Sequence, residues 1–438
     1  MAEKKSGKGD QASDSVSSRR GFLINAGVGV AAAGMAFGAH AATENREDKK
    51  PHPHRGADHA KAEVEPFYGL HQGGIATAQQ AHTYCSVLDL ATTKRDEVVA
   101  MLKAWTGASA RMTAGQPAGP IGQDQTQAAA DSADALGLAP QRLTLTFGFG
   151  PGVFVKDGKD RYGLAALRPE ALVDLPKFNG DQLVEGQTGG DISIQACAED
   201  AQTAFHAVRQ LVRLSYGAAT MRWAQTGFLS KPADGGTARN LMGFKDGTQN
   251  PKNFDKVVWV GEEGPAWMRG GSYVVLRRIR IALEHWDRTE VDFQEQVVGR
   301  HKYSGAPLGK KSEFDTMDLE ALDKEGNPVV PDTAHVRLAT AATNGGAQIL
   351  RRGYSYNDGV NFTAERWPPW RQGMEYDAGL FFVAYQRDPR TGFIKIFHIM
   401  SKIDMMQQFV THTGGGLFAC PGGIAEGGYI GQKLFESA

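Results

Sequence analysis

One order of elements, met twice along the chain, constrains the fold more than any other feature. His82 to Leu90 alternates like a half-buried strand, Lys94 to Trp105 reads as a helix, and Arg142 to Phe149 is an apolar strand ending in glycine. Ile192 to Cys197 follows as a strand, Ala201 to Tyr216 as a helix with Phe205, Val208, Leu211 and Val212 on one face, and Thr220 to Phe228 as a strand. A second pass begins at Gly271, with Ser272 to Leu283 as a long alternating strand and Thr289 to Val298 as a helix. Ile349 to Tyr356 and Leu380 to Tyr385 are further strands, and Phe393 to Met406 is a helix. The pattern β-α-β-β-α-β, repeated, predicts an α+β chain of two ferredoxin-like domains with antiparallel sheets, over residues 67–231 and 232–438. A length of 438 residues suits that division, since one domain usually takes about 100–200. Between the elements of the second half, Lys302 to Thr333 is a long polar insertion without periodicity, and loops of that length usually border something functional.

Charge and cysteine usage narrow the function. The 48 Lys and Arg are balanced by 49 Asp and Glu, which excludes a body built to grip nucleic acid through bulk positive charge. Hydrophobic residues make up 41% and charged ones 22%, enough to bury cores and too polar for a multi-span membrane protein. Three widely spaced cysteines, Cys85, Cys197 and Cys420, form no CxxC, so neither a disulfide framework nor a zinc site is expected.

The first 66 residues stand apart. Ser18-Arg19-Arg20-Gly21-Phe22-Leu23-Ile24, a Gly/Ala-rich run to Phe37 and Ala39-His40-Ala41 together read as a twin-arginine export signal over residues 1–41. The apolar run is short for a hydrocarbon core of about 30 Å, so cleavage near Ala41 is expected rather than a membrane span. The predicted location is the periplasm or another exported compartment, and because this route carries folded proteins, the signal hints at a prosthetic group. Residues 42–66 are polar and cannot bury enough to offset ordering entropy, which makes them a disordered linker. His52, His54 and His59 read as an adventitious histidine-rich tether.

Two glycine-rich segments invite chemistry. Phe147-Gly148-Phe149-Gly150-Pro151-Gly152 is no dinucleotide fingerprint, because Pro151 interrupts it and no amphipathic helix opens after it. In Gly243-Phe244-Lys245-Asp246-Gly247-Thr248-Gln249-Asn250-Pro251, glycines flank one carboxylate, so backbone can approach a flat ligand while Asp246 projects from it. Asp-Gly alone is a common turn. Downstream, however, Asp332-Thr333-Ala334-His335-Val336-Arg337 places a histidine just after the insertion, and Leu350-Arg351-Arg352-Gly353-Tyr354 sets paired arginines on a strand.

With these pieces the sequence resembles the dye-decolorizing peroxidases, in particular their exported, EfeB-like deferrochelatase/peroxidase branch. The resemblance runs through Phe67-Tyr68-Gly69-Leu70-His71-Gln72-Gly73-Gly74-Ile75, Gly148 to Gly152, the Gly-x-x-Asp-Gly signature at Gly243 to Gly247, Val298-Gly299-Arg300 with Gly305-Ala306-Pro307-Leu308, His335, and Leu350 to Tyr354. It implies one haem b per chain in the C-terminal domain, with His335 as the proximal iron ligand and therefore the metal-binding residue. It also implies Asp246 as the distal carboxylate, Arg351 as the distal arginine, and Gly247, Thr248 and Gln249 lining the haem. Arg351 is preferred to the adjacent Arg352 because it aligns with the first arginine of the family's pair. The stretch Thr340 to Gly346 is shorter and less polar than in the enteric members.

The residue chemistry agrees with that assignment. An imidazole on iron leaves one axial position open. Hydrogen peroxide then has to lose a proton from one oxygen and gain one on the other, a task within reach of Asp246. A permanent cation such as Arg351 stabilises the negative charge that develops. The implied activity is an exported haem peroxidase that reduces hydrogen peroxide and oxidises dye-like or phenolic donors, linked to iron uptake. The alternative is a haem carrier or deferrochelatase that frees iron and leaves protoporphyrin intact. The expected partners are peroxide, an organic electron donor and components of haem-iron or ferrous-iron uptake, with no nucleic acid; homo-oligomerisation is left open.

Overall fold

The computed structural model describes residues 63–122, 126, 128–361 and 375–437. The expected signal and residues 42–62 of the expected linker lie outside the described residues. Glu63 and Glu65, at the linker's end, both reach the guanidinium of Arg142. No helix among the described residues is long and apolar enough to cross a membrane.

The first half runs β1 (His82–Leu90), α1 (Arg95–Thr113), β2 (Thr144–Phe149), β3 (Ile192–Ala198), α2 (Ala201–Leu214) and β4 (Ala219–Phe228). Its strands pair antiparallel in the order β4-β1-β3-β2, the arrangement of a ferredoxin-like sheet. The second half supplies β5 (Ser272–Ile281), β6 (Leu350–Arg351), β7 (Tyr354–Asn361), β8 (Glu375–Gln386) and β9 (Val410–Cys420), with the helix Phe393–Ile403 between the last two. Here the order is β9-β5-β8-β7, the same plan again, with β6 pairing the same strand β8 as β7 does. The two sheets meet edge to edge through single pairs, Phe149 with Ala419 and Phe228 with Ser355.

Alternation decides which side chains meet. Val87 from one sheet, and Val274, Leu276, Phe381, Val383 and Phe418 from the other, share a buried cluster. A polar group in this layer that is paired is the Tyr385 hydroxyl, which donates to Gln195 Oε1 at 2.6 Å. On the outer side of the first sheet, Val98, Leu102, Trp105, Val208 and Leu211 pack with Phe147 and Ile194. The Trp105 indole joins α1 to α2 by donating to the Leu211 carbonyl at 2.7 Å, and Asp200 caps α2 by accepting from the Thr203 amide.

Three departures from the sequence pattern have physical causes. Helix α1 continues past Thr106-Gly107 to Thr113 because Ala108, Ser109 and Met112 still face the core, while Gly107 is exposed. Phe205, expected on the buried face of α2, is 44% exposed and rests edge-on against Tyr84. The expected strand from Ile349 is interrupted after Arg351, although the Arg352 amide still donates to the Val383 carbonyl, so β6 and β7 follow one another along the same edge of β8.

The closing strand β9 was invisible to periodicity because Gly414-Gly415-Gly416 lowers its apparent strand propensity. The glycines are there because backbone crowds them: a side chain on Gly415, at φ +139°, would overlap the Leu276 carbonyl, and one on Gly414 would overlap the Gln187 carbonyl. Gly415→Ala is expected to cost roughly 1–3 kcal/mol through overpacking. Gly107→Ala, at an open helical position, should instead stabilise by about 0.5–1 kcal/mol. Urea unfolding of the two variants checks this, and equal tolerance of both would refute the crowding argument.

Candidate active site

The Gly-x-x-Asp-Gly segment is a compact turn held from several sides. Gly243 and Gly247 take φ of +86° and +107°, a region that favours glycine. Asn240 Oδ1 accepts from the amides of Met242 and Phe244, which leaves its Nδ2 to donate to Asp246 Oδ2 at 3.4 Å. The Asp246 amide donates to the Ala238 carbonyl at 2.9 Å. Met242 and Phe244 anchor the turn in a buried cluster with Trp286 and Val297, and the Trp286 indole donates to the Met242 carbonyl.

Asp246 Oδ1 accepts from Arg351 Nη1 at 2.7 Å, across 105 positions of sequence. Arg351 is fixed there by its own main chain, because Asn250 Oδ1 accepts from the Arg351 amide at 3.0 Å while Asn250 Nδ2 donates to its carbonyl at 2.7 Å. Asn250 thus replaces a neighbouring strand and ties β6 to the turn. Arg352 points elsewhere: it is buried and donates to the Thr77 carbonyl and to Gln80 Oε1.

Asp246 and Arg351, 26% and 32% exposed, both line an open cavity of about 260 Å³ that is also bounded by Gln79, Gly247, Leu380 and Phe382. Burial by itself would raise the Asp246 carboxyl. The Arg351 charge and hydrogen bond, with help from Asn240, outweigh burial and hold Asp246 below the ordinary carboxylate range.

His335 opens a one-turn helix, His335–Leu338, directly after the long insertion. Its Nδ1 is 2.7 Å from Asp404 Oδ2, and the Asp404 side chain is fully buried. An aspartate can only accept, so Nδ1 carries the proton and the Nε2 lone pair is free to bind a metal. The other carboxylate oxygen, Asp404 Oδ1, accepts from the Met406 amide at 2.8 Å, which fixes the carboxylate in turn.

Of the residues singled out in sequence, the structure brings Asp246, Gly247 and Arg351 to one cavity, and His335 is near enough to act on the Asp246 charge without lining that cavity. Thr248 instead donates its hydroxyl to Glu313 at 2.9 Å, and Gln249 is exposed.

Comparison with known proteins decides what this arrangement belongs to. Residues 72–229 match the family model described as Dyp-type peroxidase, N-terminal, and residues 237–425 the one described as Dyp-type peroxidase, C-terminal. The chain is 38% identical to the dye-decolorizing peroxidase of Thermobifida fusca, over 96% of this chain and 97% of that one. It is 35% identical to the deferrochelatase of Escherichia coli K12, over 86% and 88% of the two chains. The structure of ferric DtpA from Streptomyces lividans matches with a TM-score of 0.78 at 43% identity, covering 86% of this chain and 98% of that one.

The chain belongs to the Dyp-type peroxidase family. It is a haem-dependent peroxidase of two ferredoxin-like halves.

Within this Dyp-type peroxidase, four residues that sequence reasoning passed over complete the site: Asn240, Asn250, Glu313 and Asp404. Asn250 stood inside the quoted motif, yet its partner Arg351 is remote in sequence. Asp404 follows a helix 69 positions after His335 and carries no local signal of that pairing.

The depressed Asp246 carboxyl has a pH signature. A group whose folded pKa lies below its unfolded value, about 3.9 for Asp, contributes stability above the unfolded value and loses it as pH falls through the folded one. The urea midpoint of the wild type relative to Asp246→Asn should therefore be most favourable at pH 6 and decline as pH drops below about 4. A difference that stays constant, or grows, from pH 6 to pH 3 would show that Asp246 is not held ionised by Arg351.

Proposed function

We propose that this chain is an exported peroxidase carrying one haem b, which reduces hydrogen peroxide at the Asp246–Arg351 pair and oxidises dye-like or phenolic donors. The proposed domains are 67–231 and 232–438, preceded by a cleaved signal, 1–41, and a polar linker, 42–66. One observation carries the reading. A carboxylate-anchored imidazole, His335 with Asp404, stands beside a separate carboxylate and guanidinium pair at a cavity wall.

The residues present fit a haem. His335 offers a single neutral nitrogen oriented by a buried acceptor, which suits an iron whose other ligands would come with the haem itself. Among the described residues no three His, Cys, Asp or Glu side chains converge to hold a bare ion. When bound, the haem would supply the electrons that cleave the oxygen–oxygen bond of peroxide. His335 would hold the iron, and Asp404 would keep the imidazole in the required tautomer and orientation. Gly247 would admit the flat ligand close to the turn.

The remaining chemistry belongs to the pair. Asp246, held below the ordinary carboxylate range by Arg351, would take a proton from one peroxide oxygen and return it to the other. Arg351, permanently charged and fixed through Asn250, would stabilise negative charge on the departing oxygen. Each contribution is typically worth about 100- to 10,000-fold in general-base catalysis and about 100- to 1,000-fold for one electrostatic donor.

The relatives named deferrochelatase favour a second reading, release of iron from haem with the porphyrin left intact, and with it a place in iron uptake. Product analysis separates the two: peroxidase turnover leaves oxidised donor, whereas the rival leaves metal-free protoporphyrin.

His335→Ala removes the proposed protein ligand, so the purified variant should contain little haem and lack a ferric Soret band, as absorption and pyridine haemochrome assays would read. Full haem content with unchanged spectra would overturn the ligand assignment. Replacing Arg19 and Arg20 by lysine should leave the protein in the cytoplasm on cell fractionation. Normal periplasmic accumulation of that variant would sink the export proposal.

A further inference from the structure

The long insertion between Lys302 and Thr333 sends one buried carboxylate back into the site. Glu313 is 7% exposed. Its Oε2 pairs with Lys245 Nζ at 2.5 Å, and its Oε1 accepts from the Thr248 hydroxyl at 2.9 Å. Lys245 and Thr248 stand on either side of Asp246, so the two oxygens of one carboxylate close a clamp around that residue. Thr237, from the cavity wall, helps Lys245 and Thr248 to hold the Glu313 carboxyl below its ordinary range against burial.

Glu313 is itself held from behind. Arg300, almost fully buried, donates through Nη1 to the main-chain carbonyls of Glu313 at 2.9 Å and Gly305 at 2.6 Å. Gly305 has φ of +77°, and a side chain there would run into the Lys245 stem. The backbone therefore makes room for the Lys245–Glu313 pair. A buried ion pair of this kind is a weak source of net stability, because desolvation offsets the attraction, but it is strongly selective for one geometry. That geometry is the placement of the turn bearing Asp246.

We infer that Glu313 is a positioning residue for the peroxidase reaction, clamping the Asp246 turn through Lys245 and Thr248 so that Asp246 meets Arg351 in one fixed geometry. The inference rests on the role proposed above for Asp246. Without the Glu313 charge, Lys245 loses its partner next to Asp246, and the turn is left to the contacts of Asn240, the Ala238 carbonyl, Trp286 and Asn250, none of which holds the Lys245 side chain. Misplacing a catalytic group by about 1 Å costs up to about 100-fold in rate.

The test uses the full haem-loaded enzyme and Glu313→Gln, which keeps the size and an acceptor for Thr248 but removes the charge. Three quantities are read: haem per chain, the second-order rate with hydrogen peroxide across pH 3–8, and hydrogen–deuterium exchange of the 239–250 peptide in loaded and haem-free protein. Glu313→Gln should bind haem as the wild type does, exchange roughly tenfold faster in that peptide with the rest of the chain unchanged, and react with peroxide roughly 10- to 100-fold more slowly. The acid limb of its pH profile should also shift, because the charges facing Asp246 have changed. Glu313→Asp should recover part of the rate.

A folded, haem-loaded Glu313→Gln within twofold of wild type in peroxide rate, or with unchanged exchange over 239–250, overturns the inference. If that variant does not fold, Thr248→Val and Lys245→Met each remove one arm of the clamp, and wild-type exchange and rate in both would overturn it equally. Failure of the parent protein itself to bind haem or react with peroxide would strike the proposed function instead, so the two failures are distinguishable.

Discussion

Two opposite charges 105 positions apart, Asp246 and Arg351, meet at 2.7 Å on the wall of a cavity, and much of the second half of the molecule is arranged to keep them there. A half-buried ion pair contributes little stability on its own and drifts unless its backbones are fixed. One side is fixed by glycines with positive φ, by Asn240 and by Glu313; the other is fixed by Asn250, which pairs with both main-chain groups of Arg351. The second sheet supplies the frame, since β6 reaches its place only by pairing with β8, which is itself held between β5 and β7.

The consequence is a carboxylate that stays charged where most would be protonated. Desolvation in the cavity works against ionisation, and Arg351 reverses the balance. The base proposed for peroxide is thereby ionised at lower pH than an ordinary carboxylate. The orientation of the His335 imidazole is set separately, by Asp404.

The fold was legible wherever side chains carried the period. β1 is read end to end from its alternation, and one full pass of β-α-β-β-α-β with a second that lacked its last strand sufficed for the ferredoxin-like plan. It was illegible where backbone crowding, rather than side-chain pattern, selects the residue: β9 is masked by Gly414 to Gly416, whose role is to let Leu276 and Gln187 carbonyls approach. The site divides the same way. Asp246 and His335 stand in recognisable local motifs, whereas the partners of the two adjacent arginines, Asp246 for Arg351 and Thr77 with Gln80 for Arg352, are seen only in the folded chain. Asp404 and Glu313 were unreadable because each acts on a segment tens of residues away and is an ordinary acid in its own surroundings.

The central claim is that the Asp246–Arg351 pair carries the peroxide chemistry while His335 holds the haem. Stopped-flow absorption of haem-loaded Asp246→Asn and Arg351→Leu after mixing with hydrogen peroxide tests it most directly. Both variants should keep the Soret band of the wild type, and both should react with peroxide at least about 100-fold more slowly. Rapid, wild-type-like reaction in both would contradict the account and place the chemistry on other residues.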